Sequence, residues 1–268
     1  MNITEKKLCK LVERIKSRGH LVSVKAEFEA EGTRNDELLR LLDIIHTHNV
    51  PLTLKIGGCE AVKDLYEARQ FGARFIVAPM IESPYALEKF ADTISKVYPD
   101  DEREEIDFLF NVETIQAYRL FDSLLSTALA RPTIAGVVFG RTDFSGSLGI
   151  KSDVQNPQVT ATGIEMAAKL APTHLDFVVG GSVSIASIPE LRQFAEAKLN
   201  RFETRKVVFN ATCLGDKDLA DSLLDAVHFE ILWLINKSQY YGALHREDQV
   251  RINQLESRWG VLEKDIQL

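Results

Sequence analysis

Cysteine is scarce: Cys9, Cys59 and Cys213 stand far apart in a chain of 268 residues. An odd number at such separations matches neither a disulfide framework nor a CxxC metal site, so a reducing, cytoplasmic setting is expected. No apolar run approaches the ~20 residues needed to span a bilayer. Met1 to Arg18 alternates charged and apolar residues and lacks the apolar stretch of a signal peptide. A membrane is therefore not an expected partner. A basic stripe is also missing: 32 Lys and Arg are mixed among 39 Asp and Glu, for a net charge of −7, which leaves nothing to neutralise a nucleic acid backbone. The acidic run Asp100-Asp101-Glu102 with Glu104-Glu105 reads as a solvated loop. There is no low-complexity linker, so a single domain over 1–268 is the default for a chain with 45% hydrophobic residues.

What is present is alternation. Seven short segments rich in β-branched and aromatic residues, Leu21–Phe28, Leu52–Ile56, Phe75–Met80, Ile106–Val112, Ile134–Gly140, Leu175–Gly180 and Lys206–Asn210, are separated by stretches of helical periodicity. Strand then helix, repeated, implies parallel strands joined by helical crossovers. The expected fold is α/β, a (β/α)8 TIM barrel with one irregular or missing strand, an N-terminal helix and a helical extension over about 216–268. That extension is expected as two helices, Leu219–Ile235 and Ala243–Leu262. The last has no strand to return to and should pack on the barrel or on another subunit, making a homo-oligomer.

Strands of a parallel barrel are buried on both faces, so charges inside them need a reason. The period of two along Val22–Phe28 puts Ser23, Lys25 and Glu27 in the interior and Val22, Val24, Ala26 and Phe28 against the helices. Lys55 points inward with Thr53 by the same logic. An internal salt-bridge network is one reading of Lys25, Glu27 and Lys55, and a chemical role is the other. Glu113 closes the fourth segment at the C-terminal end of its strand, where barrel active sites lie. The fifth ends in Gly140 and leads into a glycine-rich loop through Arg141, Thr142, Asp143, Ser145 and Ser147, which looks built around a ligand. Arg141, Ser145, Gly140 and Thr142 are the candidate substrate contacts. Glu113 and Asp143 would supply two hard oxygen ligands in an open site suited to Mg²⁺ or Mn²⁺. Phe177–Ser184 offers a second glycine- and hydroxyl-rich strand end, readable either as an anion site or as a tight turn. The six histidines show no metal spacing, and Trp233 and Trp259 read as core or interface.

Three of these segments, in order, resemble the HpcH/HpaI aldolase and citrate lyase β-subunit family: Gly72-Ala73-Arg74-Phe75-Ile76-Val77-Ala78-Pro79-Met80, Val112-Glu113-Thr114, and Gly140 through Gly149. The resemblance covers about 21 to 150. It implies a carbon–carbon lyase in which Glu113 and Asp143 hold a divalent metal that binds a 2-oxo acid or related acyl substrate. Two positions depart from the family pattern. Lys55 stands where the aldolases carry an arginine that stabilises the enolate oxygen, keeping charge but losing bidentate geometry. Glu29-Ala30-Glu31-Gly32 stands where they carry Asp-Gly-Glu-His, so the proton-transferring histidine is absent and Glu31, or else Glu29, is the expected replacement. Two rival readings stay open: a Schiff-base aldolase using Lys25 or Lys55 as nucleophile, and a binding protein that has kept the metal site but not catalysis.

Overall fold

A computed structural model describes residues 1–150 and 153–266. Eight strands close into a barrel in chain order: β1 (Leu21–Glu27), β2 (Leu52–Lys55), β3 (Phe75–Ala78), β4 (Asp107–Val112), β5 (Ile134–Gly140), β6 (Asp176–Gly180), β7 (Arg201–Glu203) and β8 (Val207–Asn210). Helices α1 (Ile3–Ser17), α2 (Asn35–His46), α3 (Val62–Gln70), α4 (Pro84–Val97), α5 (Asp100–Arg103), α6 (Ile115–Arg119), α7 (Phe121–Leu129), α8 (Arg141–Ser147), α9 (Pro157–Leu170), α10 (Ile188–Ala197) and α11 (Leu219–Ile266) complete the chain. Local chemistry sets several starts. Ser83 accepts from the N–H of Ala86 at 3.1 Å ahead of Pro84, and Thr114 accepts from Ala117 at 3.1 Å to open α6. The acidic run expected as a loop forms α5, and its Glu102 pairs with Arg69 at 2.6 Å.

The strand missing from the sequence pattern is β7, only three residues long. It joins β8 by a tight hairpin, so β8 runs antiparallel to both β7 and β1. Expecting a parallel last strand was therefore incorrect. The segment Thr204–Lys206 is too short for a helical crossover, and such a link can only reverse the chain. The β1–β8 register also shifts between Leu21 and Ser23. Val22, expected among the helix-facing residues, packs instead on the interior cluster of Phe75, Val77, Leu109, Val138 and Val178. The larger apolar core lies between the strands and the outer helices.

The two expected C-terminal helices are one continuous helix of 48 residues. Nothing between Ile235 and Ala243 stops it: Gly242 alone costs about 1 kcal/mol in a helix interior, and no proline intervenes. Its first turns pack on α1 and bury Leu223, Ala226, Phe229 and Trp233. From Ala243 to Trp259 every residue is exposed. No helix among the described residues is long and apolar enough to cross a membrane.

Candidate active site

The carboxyl ends of the strands surround a cavity of about 430 Å³. Alternation along β4 sends Leu109, Asn111 and Glu113 inward, and Glu113 ends up 1% exposed at the cavity wall. One of its oxygens accepts the N–H of Met80 at 2.9 Å and the other accepts Asn111 Nδ2 at 2.7 Å. Met80 takes φ 50° to aim that N–H, an uncommon backbone for a residue with a side chain. Gly140 gives the carboxylate room, since a Cβ there would sit 2.8 Å from Glu113 Cβ and Oε2. Thr114, the second half of the Glu-Thr pair, caps α6 and donates to Glu82 at 2.7 Å.

Lys55 Nζ lies 3.6 Å from Glu113 Oε2 and 3.0 Å from Glu29 Oε2. The Glu29 contact is an ion pair without a directed hydrogen bond, because that oxygen has no hydrogen-bond partner. Asn111 Oδ1, also buried at the cavity, has none either. Asp143 lines the cavity from α8 and is exposed. Burial pushes the Glu113 carboxyl above the ordinary glutamate value of 4.5 and the negative charge of Asp143 adds to the push, while Lys55 and the two hydrogen bonds pull the other way.

Lys25 is also in the cavity, bonded to Glu203 and 3.1 Å from Glu27. Burial works to lower its proton affinity, but the charges of Glu203 and Glu27 outweigh it and hold the ammonium well above the usual lysine range. For Glu27, burial works upward and is outweighed by Lys25, Lys55 and Arg205, leaving that carboxyl lowered.

The other expected contacts divide. Gly140 and Thr142 line the cavity; Arg141 and Ser145 do not. The segment expected as a loop is the helix α8. Arg141 is fully buried behind it, bonded to Glu190 and donating to the carbonyls of Gly180 at 3.1 Å and Gly181 at 2.8 Å. Its guanidinium therefore ties the end of β5 to the end of β6 and does not reach a ligand. Ser145 is buried and donates to the Thr142 carbonyl at 2.8 Å. Phe177–Gly180 completes β6, and the turn that follows it lines the cavity through Gly180, Gly181, Ser182 and Val183; Gly181 takes φ +88°, where a Cβ would meet the Thr142 nitrogen at 2.5 Å. Glu31 does not line the cavity. It bonds Lys206 and lies 3.3 Å from Arg205 Nε, whereas Glu29, two residues earlier, does line it.

Sequence reasoning missed Asn111, Glu203, Arg205 and Glu230 as cavity residues. Asn111 was findable, because it precedes Glu113 by two and shares its face. Glu203 belongs to the missed strand, and Glu230 lies on α11, remote in sequence from every strand end. His20 is buried with Nε2 3.2 Å from Asp216 and 3.4 Å from Asp218, while Nδ1 is 2.8 Å from Ser222 Oγ. This cluster sits ahead of β1, at the end of the barrel away from the cavity, and fastens the start of α11 to the start of the sheet.

No protein-family model matches the sequence, and no curated protein matches it either. Solved structures do match in fold. An HpcH/HpaI aldolase from Desulfitobacterium hafniense DCB-2 superposes with a TM-score of 0.58 at 16% identity, over 73% of this chain and 82% of its own. An HpcH/HpaI aldolase/citrate lyase family protein from Burkholderia cenocepacia J2315 gives 0.60 at 14%, over 89% and 90%. The citrate synthase SbnG gives 0.58 at 17%, over 73% and 81%. The fold of this chain is the barrel of those proteins.

Proposed function

We propose that the protein is a carbon–carbon lyase working through the enolate of a 2-oxo acid or related carbonyl compound, with Mg²⁺ or Mn²⁺ held by Glu113 and Asp143. The observation that carries this reading is the buried Glu113 beside Lys55 in a cavity that Asp143 also lines, at the carboxyl ends of the strands. The fold shared with aldolase and citrate synthase structures supports it. So does the donor chemistry: two carboxylates, a third oxygen without a partner on Asn111, and a buried negative charge on Glu113 whose raised proton affinity a cation would offset. A divalent ion bound there supplies Lewis-acid withdrawal of charge from a carbonyl oxygen, worth several kcal/mol of barrier.

The chain's own residues do the rest. In cleavage of a 4-hydroxy-2-oxo acid, the C3–C4 bond breaks and its electron pair remains on C3 as the enolate. The hydroxyl proton passes to a base, leaving an aldehyde, and C3 then takes up a proton to give the 2-oxo acid. Lys55 supplies positive charge to the developing enolate oxygen. Glu29 takes the proton-transfer role in preference to Glu31, because Glu29 lines the cavity with one oxygen 3.0 Å from Lys55 Nζ, while Glu31 lies outside it, paired with Lys206 and Arg205. A Schiff base on Lys25 is disfavoured, since attack needs a neutral amine and two carboxylates keep this one protonated.

Deuterium exchange into the pyruvate methyl group, followed by NMR with and without Mg²⁺, tests the proposal. Metal-dependent exchange that Lys55→Ala abolishes is expected. Metal-independent exchange with a lysine trapped by borohydride would replace this reading with the Schiff base, and no exchange or turnover with any 2-oxo acid would leave a binding protein.

A further inference from the structure

In its first turns the helix α11 is apolar on two faces. One face, with Leu223, Ala226 and Trp233, is buried against the barrel and α1. The other points outward, although a helix apolar all round is normally buried all round. Its exposed residues keep a strict heptad repeat that runs on past the barrel. Leu224, Ile231, Ile252 and Trp259 fall at the first position of the repeat, and Val227, Leu234 and Leu255 at the fourth. All of them are between 45% and 68% exposed. Ile235 and Leu244 flank this line, while Tyr240 and Val250 lie off it. A period of about 3.5 residues, where a straight helix has about 3.6, belongs to a supercoiled seam, and the line covers about 50 Å of helix.

The middle of the seam is polar: Ser238 and His245 occupy the first position there, and Tyr241 and Asp248 the fourth. That gap selects what can cover the seam. Laid antiparallel on a second copy of itself, about an axis at Ala243, the seam sets Val227 against the second copy's Trp259, Ile231 against its Leu255 and Leu234 against its Ile252. The polar residues then meet one another, Ser238 with Asp248 and Tyr241 with His245. A shift of one heptad brings Ile231 onto Asp248 in one direction and Ser238 onto Leu255 in the other. A parallel pair stacks Asp248 on Asp248.

The residues flanking the seam agree with the same register. Glu230 comes opposite Arg258, and His228 opposite Glu256, the kind of flanking pair that sets orientation in coiled coils. The like pair of Lys237 and Arg251 is relieved within each chain, where Lys237 lies 3.1 Å from Glu37. Near the axis Gly242 meets Gly242, which lets the two helices approach closely. Nothing in its own chain asks for glycine there, since an added Cβ would meet only the end of Arg246 at 3.4 Å.

We propose that α11 pairs antiparallel with α11 of a second copy along this seam, making the protein a dimer. Large exposed apolar patches mark such contacts, and here both the apolar and the polar stretches of the seam match only themselves. Val227 and Glu230 also line the cavity, so the pairing carries Arg258 of the second copy to its rim. The pairing holds whichever reaction the cavity carries out.

Sedimentation of the full chain across micromolar concentrations tests the proposal, and a species of twice the chain mass is expected. Ile231→Asp and Ile252→Asp, both at exposed positions, should each return it to a monomer. Glu230→Arg and Arg258→Glu should each weaken dimerisation about tenfold, the scale of two exposed ion pairs, and the double variant should recover it, a rescue that misfolding cannot produce. Under mild oxidation Leu234→Cys/Ile252→Cys should crosslink between chains beyond the level of the unmodified protein, and Ile252→Cys alone should not. A monomer at every concentration, or a dimer that both aspartate variants leave intact, overturns the proposal. So does a crosslink in Ile252→Cys alone, which requires parallel helices, or a charge-reversed double variant no better than its parents.

Discussion

Both ends of the barrel interior are ionic, and only one of them is hollow. At the amino ends of the strands Arg201 lies 2.7 Å from Asp176 and 3.6 Å from Asp107, sits 4.6 Å over the Phe75 ring, and is joined by an Arg74–Asp107 pair at 3.1 Å. The space bordering this plug is about 10 Å³, less than a water molecule needs. At the carboxyl ends Lys25, Lys55, Glu27, Glu113 and Glu203 surround about 430 Å³. Buried ion pairs alone therefore do not mark a site in this protein. Room beside them does, together with acceptors left unpaired and charges left unmatched.

If that distinction is right, breaking the plug should unfold the protein without touching its chemistry. Arg201→Ala leaves Asp176 and Asp107 without their partner, and a loss of about 3 kcal/mol is expected in urea denaturation. Affinity for Mn²⁺ should be unchanged in the fraction that remains folded. Lys55→Ala is the matching cut at the mouth. Turnover should fall about 100-fold, the scale of losing a group that stabilises an oxyanion, with metal affinity intact or improved, because a competing cation has been removed from Glu113. An equal fall in both would make Lys55 a structural support.

A smaller effect separates the two glutamates that follow β1. Glu29→Gln should remove a limb of the pH–rate profile. Glu31→Gln should leave that profile unshifted and lower stability by about 1 kcal/mol through Lys206, which burial already pushes toward losing its proton and which Glu31 helps keep charged. A changed limb in Glu31→Gln alone would return the proton role to Glu31.

The smallest expected effect is a pH trend. The folded value of Glu113 is raised above the ordinary 4.5, so its ionised form costs the fold stability at higher pH, and that cost is relieved as pH falls through the raised value. Metal binding follows the opposite course, since protons compete for the same oxygens. Mn²⁺ affinity should start to drop on acidification at a pH above that of an ordinary glutamate, and Glu113→Gln should remove that part of the drop.

The closed barrel was legible because seven of its eight strands carry their own β-rich segments and most are followed by a helix. β7 was not, since Arg201-Phe202-Glu203 holds a single apolar residue and draws its burial from neighbours on β6 and β8. Period-two reasoning placed Lys25 and Lys55 inside, because a charge in a strand buried on both faces has one hollow to turn into, and Glu113 was found from its place at the carboxyl end of its segment. Reading the glycine-rich segment as a ligand loop failed for Arg141: its partner Glu190 lies 49 positions on, a distance no local pattern spans, and a cation beside a candidate ligand loop reads as a contact until that partner is seen. Glu230 was hidden for the same reason, an apolar helix in sequence becoming a cavity wall only when α11 is laid against the barrel.

At the hollow end, Glu113 and Asp143 are the proposed ligands of a divalent metal. Calorimetric titration of Mn²⁺ at neutral pH into the unmodified protein, Glu113→Gln and Asp143→Asn measures it most directly, with an Asp216→Asn/Asp218→Asn double variant as the control at the other end. One site is expected in the unmodified protein and in the control, weakened roughly 100-fold or more by either mouth substitution, with circular dichroism unchanged. Undiminished binding in both mouth variants, or loss of binding only in the control, would contradict it.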